Sequence, residues 1–281
     1  MLGNAVLEAW DGIFDLLGTA SRPSEDDRTS HIPFFPFSLV SIEYSSLVDT
    51  YTPDIVVNCA AITDHEYCEK YPGQAYAVNA EAPAKLARAY PDSYIIHVST
   101  DAVFGPDVSC PDETVLPEPF SVYGKTKWMG ERLLLQENPR AAVLRTTIVG
   151  LGGRRTGPSL AEWILTSLGE GRSLGLYSDA VFTPVSVWDF IAVLHWCVMQ
   201  RPSGILHAAG PDRVSKYDFG LALAQCGGFN SGLIRRGLLA DSPNREGRRF
   251  DQSISSNKLK MLRGTSLPGI EECVAGIIRR K

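Results

Sequence analysis

Three polar side chains in the middle of the chain have types and a spacing suited to moving a proton at a carbonyl or an alcohol. Tyr123 and Lys127 are four residues apart, so on a helix they share one face. The phenol can act as acid or base, and an ammonium beside it lowers its pKa. Thr100 follows an apolar run and can hydrogen-bond the reacting oxygen. Because reduction at a carbonyl also needs a hydride donor, this set predicts a nicotinamide-dependent enzyme.

The elements that must hold these residues follow from the apolar pattern. Continuous apolar and β-branched runs at 55–61, 94–98 and 142–146 are typical of parallel strands buried on both faces. Helical patterns at 74–90, and from Tyr123 through 135, alternate with them. This alternation predicts an α/β fold with a doubly wound, Rossmann-like parallel sheet.

The two halves of the chain differ in character. Residues 4–17 are predicted to form a helix, and a strand is expected to end near 16–19. After residue 150, helices are predicted at 160–168, 215–226 and 270–279, between short strands and loops. We therefore expect an NAD(P)-binding domain over 1–150 and a smaller α/β substrate lobe over 151–281, at the carboxyl edge of the sheet. Sheet-completing segments are expected to be exchanged between the two.

Composition excludes several classes of protein. The 281 residues carry 44% hydrophobic and 21% charged side chains, with a formal charge of −5, which argues against a nucleic-acid partner. The six cysteines form no CxxC pair, as expected for reduced thiols. The chain shows neither an apolar run of about 18 residues nor a signal peptide. We expect a cytoplasmic protein with no membrane partner.

Five sequence blocks, in this order, resemble the extended short-chain dehydrogenase/reductase superfamily, and within it the dTDP-4-dehydrorhamnose reductase family. The blocks are Asn58-Cys59-Ala60-Ala61-Ile62-Thr63, Ala77-Val78-Asn79-Ala80, His97-Val98-Ser99-Thr100-Asp101, Val122-Tyr123-Gly124-Lys125-Thr126-Lys127 and Leu144-Arg145-Thr146. The similarity extends over roughly residues 1–265. Its most specific part is 53–150.

The resemblance implies a role for each matched position. Tyr123 is expected to donate the proton, Lys127 to hold the nicotinamide ribose, and Thr100 to orient the carbonyl. Asp101 is a further catalytic candidate, for proton relay or substrate contact. The expected cofactor groove also includes Gly3, Arg22, Ala60, Ala61, Ile62, Asn79, Ser99 and Ile148. No metal is expected, and the substrate would be the 4-keto form of a nucleotide-linked deoxysugar.

The N-terminal region departs from the family pattern. Gly3 matches only the last glycine of the phosphate-binding loop, and the other two glycines and their strand are not in the sequence. Three explanations are open: a start site placed too far downstream, a shorter isoform, or a homologue that binds the cofactor poorly; a truncated or alternative product is the favoured one. No acidic residue ends the strand expected near 16–19, where NAD-binding enzymes place a carboxylate for the ribose. Arg22 can instead meet a 2′-phosphate. NADP is therefore the expected cofactor, with NAD as the alternative.

Other interpretations remain open. Thr100 and Asp101 can simply cap the chain after a strand, and His97 fits a packed core position. Asp179-Ala180-Val181-Phe182-Thr183 lacks the Gln and Gly that the family has there. The chain also resembles the regulatory β subunit of methionine adenosyltransferase, so a non-catalytic NADP-binding subunit with a partner enzyme is the second hypothesis. An epimerase or dehydratase is a third, and a homodimer is expected by analogy alone.

Overall fold

A four-stranded parallel sheet lies at the centre of the computed structural model, which describes residues 2–21, 29–40, 44, 50–152, 157–242 and 249–279. The strand order is β10-β5-β4-β3. These strands are β3 (Ile55–Asn58), β4 (Tyr94–Val98), β5 (Ala142–Thr146) and β10 (Gly204–Ala208). The predicted α/β class with a parallel, Rossmann-like sheet is confirmed. β10 pairs with β5 although about 60 residues separate them along the chain.

The first described helices are α1 (Leu2–Trp10), α2 (His65–Lys70), α3 (Pro72–Tyr76), α4 (Ala82–Ala89), α5 (Val122–Glu137), α6 (Leu160–Gly169) and α7 (Val187–Gln200). Helices cover both faces of the sheet, whose strands are apolar on both sides, whereas α6 packs in the core of the C-terminal elements. On one face, α1 and α7 pack against a core that includes Ile96, Leu144 and Leu206. On the other, α4 and α5 bury Ile95 and Val143.

The remaining elements form small sheets and helices towards the C-terminus. They are β6 (Ile148–Val149), β7 (Leu174–Tyr177), β8 (Val181–Phe182), β9 (Val185–Ser186), β11 (Val214–Ser215), α8 (Lys216–Cys226), β12 (Ile234–Gly237), β13 (Asp251–Gln252), α9 (Asn257–Arg263) and α10 (Ile270–Ile278). Their own core contains Phe182 and Phe219. The domain boundary at residue 150 stays a prediction.

Two predicted elements differ in extent from those observed. The helix expected over 4–17 ends at Trp10, and Gly12 follows with a positive φ of 70°, a conformation that glycine adopts without strain. The strand expected near 16–19 is β1 (Gly18–Ala20), which pairs in parallel with β2 (Phe34–Pro36). The helix expected over 74–90 is interrupted by a π-helical turn, Ala77–Glu81, between α3 and α4.

Candidate active site

Tyr123 and Lys127 lie one turn apart near the start of α5. The helix begins after Ser121, whose hydroxyl accepts a hydrogen bond of 3.1 Å from the Gly124 N–H, a favoured N-terminal cap. Tyr123 is buried, and its ring centroid is 4.8 Å from that of His65. Glu69 accepts a further hydrogen bond of 2.8 Å from the Val122 N–H. The start of α5 is thus held from two directions.

The Lys127 side chain reaches down to the sheet. Its Nζ donates a hydrogen bond of 2.7 Å to the Val98 carbonyl and lies 3.1 Å from Nε2 of His97. Burial lowers the pKa of Lys127 to about 8, against the opposing effect of Glu131. Burial, and then the charge of Lys127, hold the pKa of His97 well below its usual value. The sequence suggested only a core role for His97, so this contact was missed.

Thr100 and Asp101 follow β4, at the carboxyl edge of the sheet. Thr100 caps a short 3₁₀ turn, Asp101–Val103, by accepting from the Ala102 N–H at 3.2 Å. Its hydroxyl also donates to the Asp101 carboxylate at 3.1 Å. The capping geometry considered from the sequence is therefore present. It leaves the catalytic role of Thr100 a prediction.

The turn carrying Thr100 and Asp101 abuts the first turn of α5. A Cβ at Gly124 would lie 2.2 Å from the Ala102 carbonyl oxygen, so only glycine permits this approach. Ala102 and Ile62 pack in the same small cluster as Tyr123. The structure therefore brings the Thr100 segment, the Tyr123 segment and the segment after β3 to one place.

The backbone after β3 is held in a fixed path by two asparagines. The Asn58 carboxamide oxygen accepts from the Ala60 N–H at 3.1 Å. Asn79, in the π-helical turn, accepts from the Ile62 N–H at 2.8 Å and donates to the Ile62 carbonyl at 2.9 Å. Ala60 is exposed, whereas Ala61 and Ile62 are half-buried. The path of this segment is therefore fixed, and its role in binding a cofactor stays a prediction.

The other groove candidates are placed as follows. Ser99 is buried and donates to Glu131 at 2.5 Å, so its hydroxyl is used inside the protein. Ile148 is half-buried in β6 and packs against the core beneath α7. Gly3 is exposed in the first turn of α1. Arg22 lies outside the described residues.

Two cations near Asp101 were not assigned any role from the sequence. An Arg249 N–H donates to the Asp101 main-chain oxygen at 2.8 Å. The Lys216 ammonium lies 3.3 Å from the centroid of the Phe182 ring, a cation–π contact. Burial raises the pKa of Asp101, and Arg249 and then Lys216 oppose that effect. Both cations come from the last third of the chain, where short-range spacing carries no signal of this contact.

This arrangement can transfer a proton at an oxygen atom bound beside Tyr123. A phenol, a lysine one turn away and a threonine hydroxyl supply an acid, a cation and a hydrogen-bond donor. Among the described residues, no group of three His, Cys, Asp or Glu side chains could hold a metal ion. Within the same ranges, no helix has the length and apolarity needed to cross a membrane.

A family model described as the RmlD substrate binding domain matches residues 41–281. A probable low-salt glycan biosynthesis reductase, Agl14, from Haloferax volcanii is 32% identical over 82% of this chain and 79% of its own length. The dTDP-4-dehydrorhamnose reductase of Mycolicibacterium smegmatis is 36% identical, over 65% of this chain and 57% of its own length. Methionine adenosyltransferase 2 subunit beta from Xenopus laevis is 30% identical, over 68% and 59% respectively. The chain thus spans less than two thirds of the second and third of these relatives.

Solved structures agree on the fold. A dTDP-4-dehydrorhamnose reductase from Clostridium acetobutylicum superposes with a TM-score of 0.81 at 23% identity, covering 94% of this chain and 98% of that one. The Bacillus anthracis enzyme, solved in complex with NADP, gives a TM-score of 0.78 at 21% identity, covering 88% and 90%. At these identities the structures establish the architecture alone.

Proposed function

The chain belongs to the dTDP-4-dehydrorhamnose reductase family, and we propose that it reduces the 4-keto group of a nucleotide-linked deoxysugar with NADPH. The observation that carries this proposal is the close approach of Gly124 to Ala102. It sets Tyr123 and Lys127 on α5 beside the turn that holds Thr100. The substrate, the cofactor and the reaction are all parts of this proposal.

Each residue has a part in the proposed reaction that its position supports. Tyr123 gives its phenolic proton to the carbonyl oxygen as the carbonyl carbon is reduced. The Thr100 hydroxyl donates a hydrogen bond to the same carbonyl oxygen. Without substrate, this hydroxyl donates to Asp101. Asp101, beside it, contacts the substrate or relays a proton. Lys127 supplies the positive charge that favours proton movement at the phenol.

The residues present fit a nicotinamide cofactor, which supplies the hydride when bound. Lys127 donates one N–H to the Val98 carbonyl and faces His97, and in either protonation state its nitrogen has a further N–H for a ribose hydroxyl. Ala60 and Ala61 add little side-chain bulk over the main chain that Asn58 and Asn79 fix. β1 ends at Ala20 and is followed by Ser21, not by an acid, which favours NADP over NAD.

A second function is a non-catalytic NADP-binding subunit that regulates a partner enzyme. The similarity to the Xenopus methionine adenosyltransferase subunit favours it. So does the segment 179–183, which lacks the Gln and Gly expected to shape the sugar-nucleotide pocket. The Asp179 carboxylate accepts from the Leu239 and Ala240 N–H groups, at 2.6 and 3.0 Å.

The deciding experiment measures cofactor binding and turnover by the same preparation. NADPH and NADH are titrated separately, and dTDP-4-dehydrorhamnose is then added while NADPH absorbance is followed. NADPH binding with turnover supports the reductase, whereas NADPH binding without turnover of this or related 4-keto sugar nucleotides supports the regulatory subunit. If neither nucleotide binds, both proposals fail. Size-exclusion chromatography with light scattering then tests the expected homodimer.

A further inference from the structure

Beneath α5, the four central strands carry a row of buried polar side chains made of two pairs that are offset along the strands, because His97 lies opposite Val143 on β5. Asn58 on β3 pairs in register with His97 on β4, and Arg145 on β5 pairs with His207 on β10. All four side chains are buried, as is Glu131 on α5 above them. Groups buried this deeply need hydrogen-bond partners. The partners of each histidine therefore determine which of its ring nitrogens carries the hydrogen.

The Arg145 half of the row has matched donors and acceptors. Two Arg145 N–H groups donate to one Glu131 oxygen, Oε2, at 2.7 and 3.2 Å, and a third contact, at 3.0 Å, reaches Oε1. Ser99 donates to Glu131 as well. This half is a buried ion pair in which no donor faces another donor.

The His97 half is different, because the donors and acceptors around the His97 ring determine its tautomer. The Ala60 N–H can face only an oxygen, so it sets the orientation of the Asn58 carboxamide. The Asn58 nitrogen, a donor, therefore points at Nδ1 of His97, 3.1 Å away. Nδ1 must accept, and a neutral imidazole then carries its hydrogen on Nε2. That N–H points at the Lys127 nitrogen, 3.1 Å away.

An N–H aimed at Lys127 treats the two protonation states of that lysine differently. An ammonium has only donors, so it would face the His97 N–H donor to donor. A neutral amine has a lone pair that accepts the same N–H and still donates to the Val98 carbonyl at 2.7 Å. The arrangement of Asn58 and His97 thus favours loss of the third proton.

We propose that His97, oriented by Asn58, is a positioning residue that directs its Nε2–H at Lys127 and stabilises the neutral amine of that lysine. The proposal rests on the proposed reductase function and deepens it. When Tyr123 has given its proton to the sugar oxygen, the Lys127 proton restores the phenol. One N–H bond breaks and one O–H bond forms, and the lone pair left on the lysine accepts from His97. Solvent then returns the proton to Lys127.

The charged and titratable groups around Lys127 are consistent with this role. Burial is the main cause that lowers the pKa of Lys127 to about 8, and Glu131 on its own helix raises it. The Cys59 thiol after β3 also faces it, and burial raises the pKa of that thiol to about 12, so it stays neutral. The pKa of His97 on β4 lies well below its usual value, so the ring is neutral at working pH.

The first test uses the unmodified protein and needs no activity. A ¹⁵N–¹H correlation spectrum of the histidine rings reports which nitrogen of His97 carries the hydrogen. The expected result is the Nε2–H tautomer, assigned by loss of the signal in His97→Gln. An Nδ1–H tautomer overturns the proposal.

The second test follows the titration of Lys127 through lysines labelled with ¹³C at Cε, assigned with Lys127→Arg. His97→Gln offers a carbonyl oxygen that can accept from the ammonium, so the Lys127 titration should rise by about one pH unit or more. His207→Gln makes the same change at an equally buried histidine of the same face and should leave the Lys127 titration unmoved. An unchanged titration in folded His97→Gln overturns the proposal.

A second variant covers the case in which His97→Gln does not fold. Asn58→Asp keeps an acceptor for the Ala60 N–H and places another before Nδ1, so the ring should switch to the Nδ1–H tautomer with a higher Lys127 titration. If the His97 tautomer or the Lys127 titration is unchanged in Asn58→Asp, that result counts against the proposal. If these results are as expected but no sugar nucleotide is reduced, the proposed function alone has failed.

Discussion

Arg249 donates a hydrogen bond of 2.8 Å to the main-chain oxygen of Asp101, a residue 148 positions earlier in the chain. A second N–H of the same guanidinium lies 3.3 Å from the Val108 carbonyl. The Arg249 side chain is almost wholly buried, and it lies 3.5 Å from the Asp101 carboxylate. The C-terminal part of the chain thus fixes the turn beside Thr100.

Replacing Arg249 with methionine should destabilise the protein in a pH-dependent way. Asp101 keeps the Thr100 hydrogen bond and the nearby Lys216 charge, so the loss should stay below about 3–5 kcal/mol, the cost of a buried charge without any partner. Burial already raises the pKa of Asp101, and Arg249 is the main opposing cause, so the variant raises that pKa further. A carboxyl with a raised folded pKa binds more protons folded than unfolded, so stability falls as pH rises from the ordinary carboxyl range through the folded pKa.

Urea denaturation of Arg249→Met and the unmodified chain at several pH values measures this difference. The gap between the two should widen from acid to neutral pH. Arg88→Met is the matched control, because Arg88 pairs with Glu137 at the surface and such pairs contribute about 0–1 kcal/mol. A gap independent of pH would show that Asp101 does not titrate against Arg249.

Tyr123→Phe should lower kcat by about 10²-fold or more, because the phenolic proton is the one transferred in the proposed reaction. The ring contact with His65 remains possible in the variant, so NADPH affinity and thermal stability should change little. Steady-state NADPH oxidation and a direct NADPH titration measure the two effects. Tyr76→Phe, at an exposed tyrosine, is the control. Full turnover by Tyr123→Phe would contradict the assignment.

Thr100→Val should reduce kcat by about 10²- to 10³-fold, the effect of removing one hydrogen-bond donor to the reacting oxygen. Valine keeps the shape of the side chain but removes the cap on the Ala102 N–H, which alone costs about 1 kcal/mol of stability. Thr100→Ser keeps the hydroxyl and should retain most activity. Comparing kcat with the unfolding free energy of both variants separates the two roles. If Thr100→Val and Thr100→Ser were equally active, Thr100 would serve only as a cap for the turn that follows it.

The central strands and the helix that carries Tyr123 and Lys127 could be predicted from the sequence. Runs of β-branched residues locate β4 and β5 because burial on both faces leaves no alternation to misread. Tyr123 and Lys127 were placed on one helix by spacing alone, and the Ser121 cap confirms where that helix starts. Local sequence therefore sufficed wherever a residue and its partner lie within a few positions of each other.

Contacts made across the sheet could not be predicted in this way. His97 lies opposite Asn58 because of the register in which β3 and β4 pair, and register depends on the whole sheet. It meets Lys127 because α5 packs over β4. Asn79, in the π-helical turn Ala77–Glu81, bonds both backbone groups of Ile62, 17 residues earlier. Neither partner lies within reach of a periodicity argument, and nor does the contact of Arg249 with Asp101.

Glu131→Gln should lower the free energy of unfolding by about 3–5 kcal/mol, because it leaves the buried Arg145 charge without its partner. Both side chains of this pair are 1% exposed. Glu137→Gln removes a carboxylate from the same helix, where it pairs with the exposed Arg88, and should cost about 0–1 kcal/mol. Chemical denaturation of both variants tests the contrast. Equal small losses would mean that water or another group satisfies Arg145.

Gly124→Ala should damage both stability and catalysis, because the methyl group has no room. The added Cβ would lie 2.2 Å from the Ala102 oxygen and 3.0 Å from Pro119, and the first of these is backbone that cannot rotate away. Helix α5 must then move from the turn that carries Thr100, which separates Tyr123 from the oxygen it protonates. A shift of about 1 Å can cost about 10²-fold in rate.

The Gly124→Ala prediction is checked by comparing kcat with NADPH affinity in the folded fraction. Because Lys127 is held from below by Val98 and His97, cofactor affinity should fall much less than kcat. Gly73→Ala is the control, since a Cβ there meets nothing within 4 Å and alanine favours the helix by about 0.8–1.0 kcal/mol. If Gly124→Ala keeps full kcat, the contact of α5 with Ala102 does not set the geometry of the reaction.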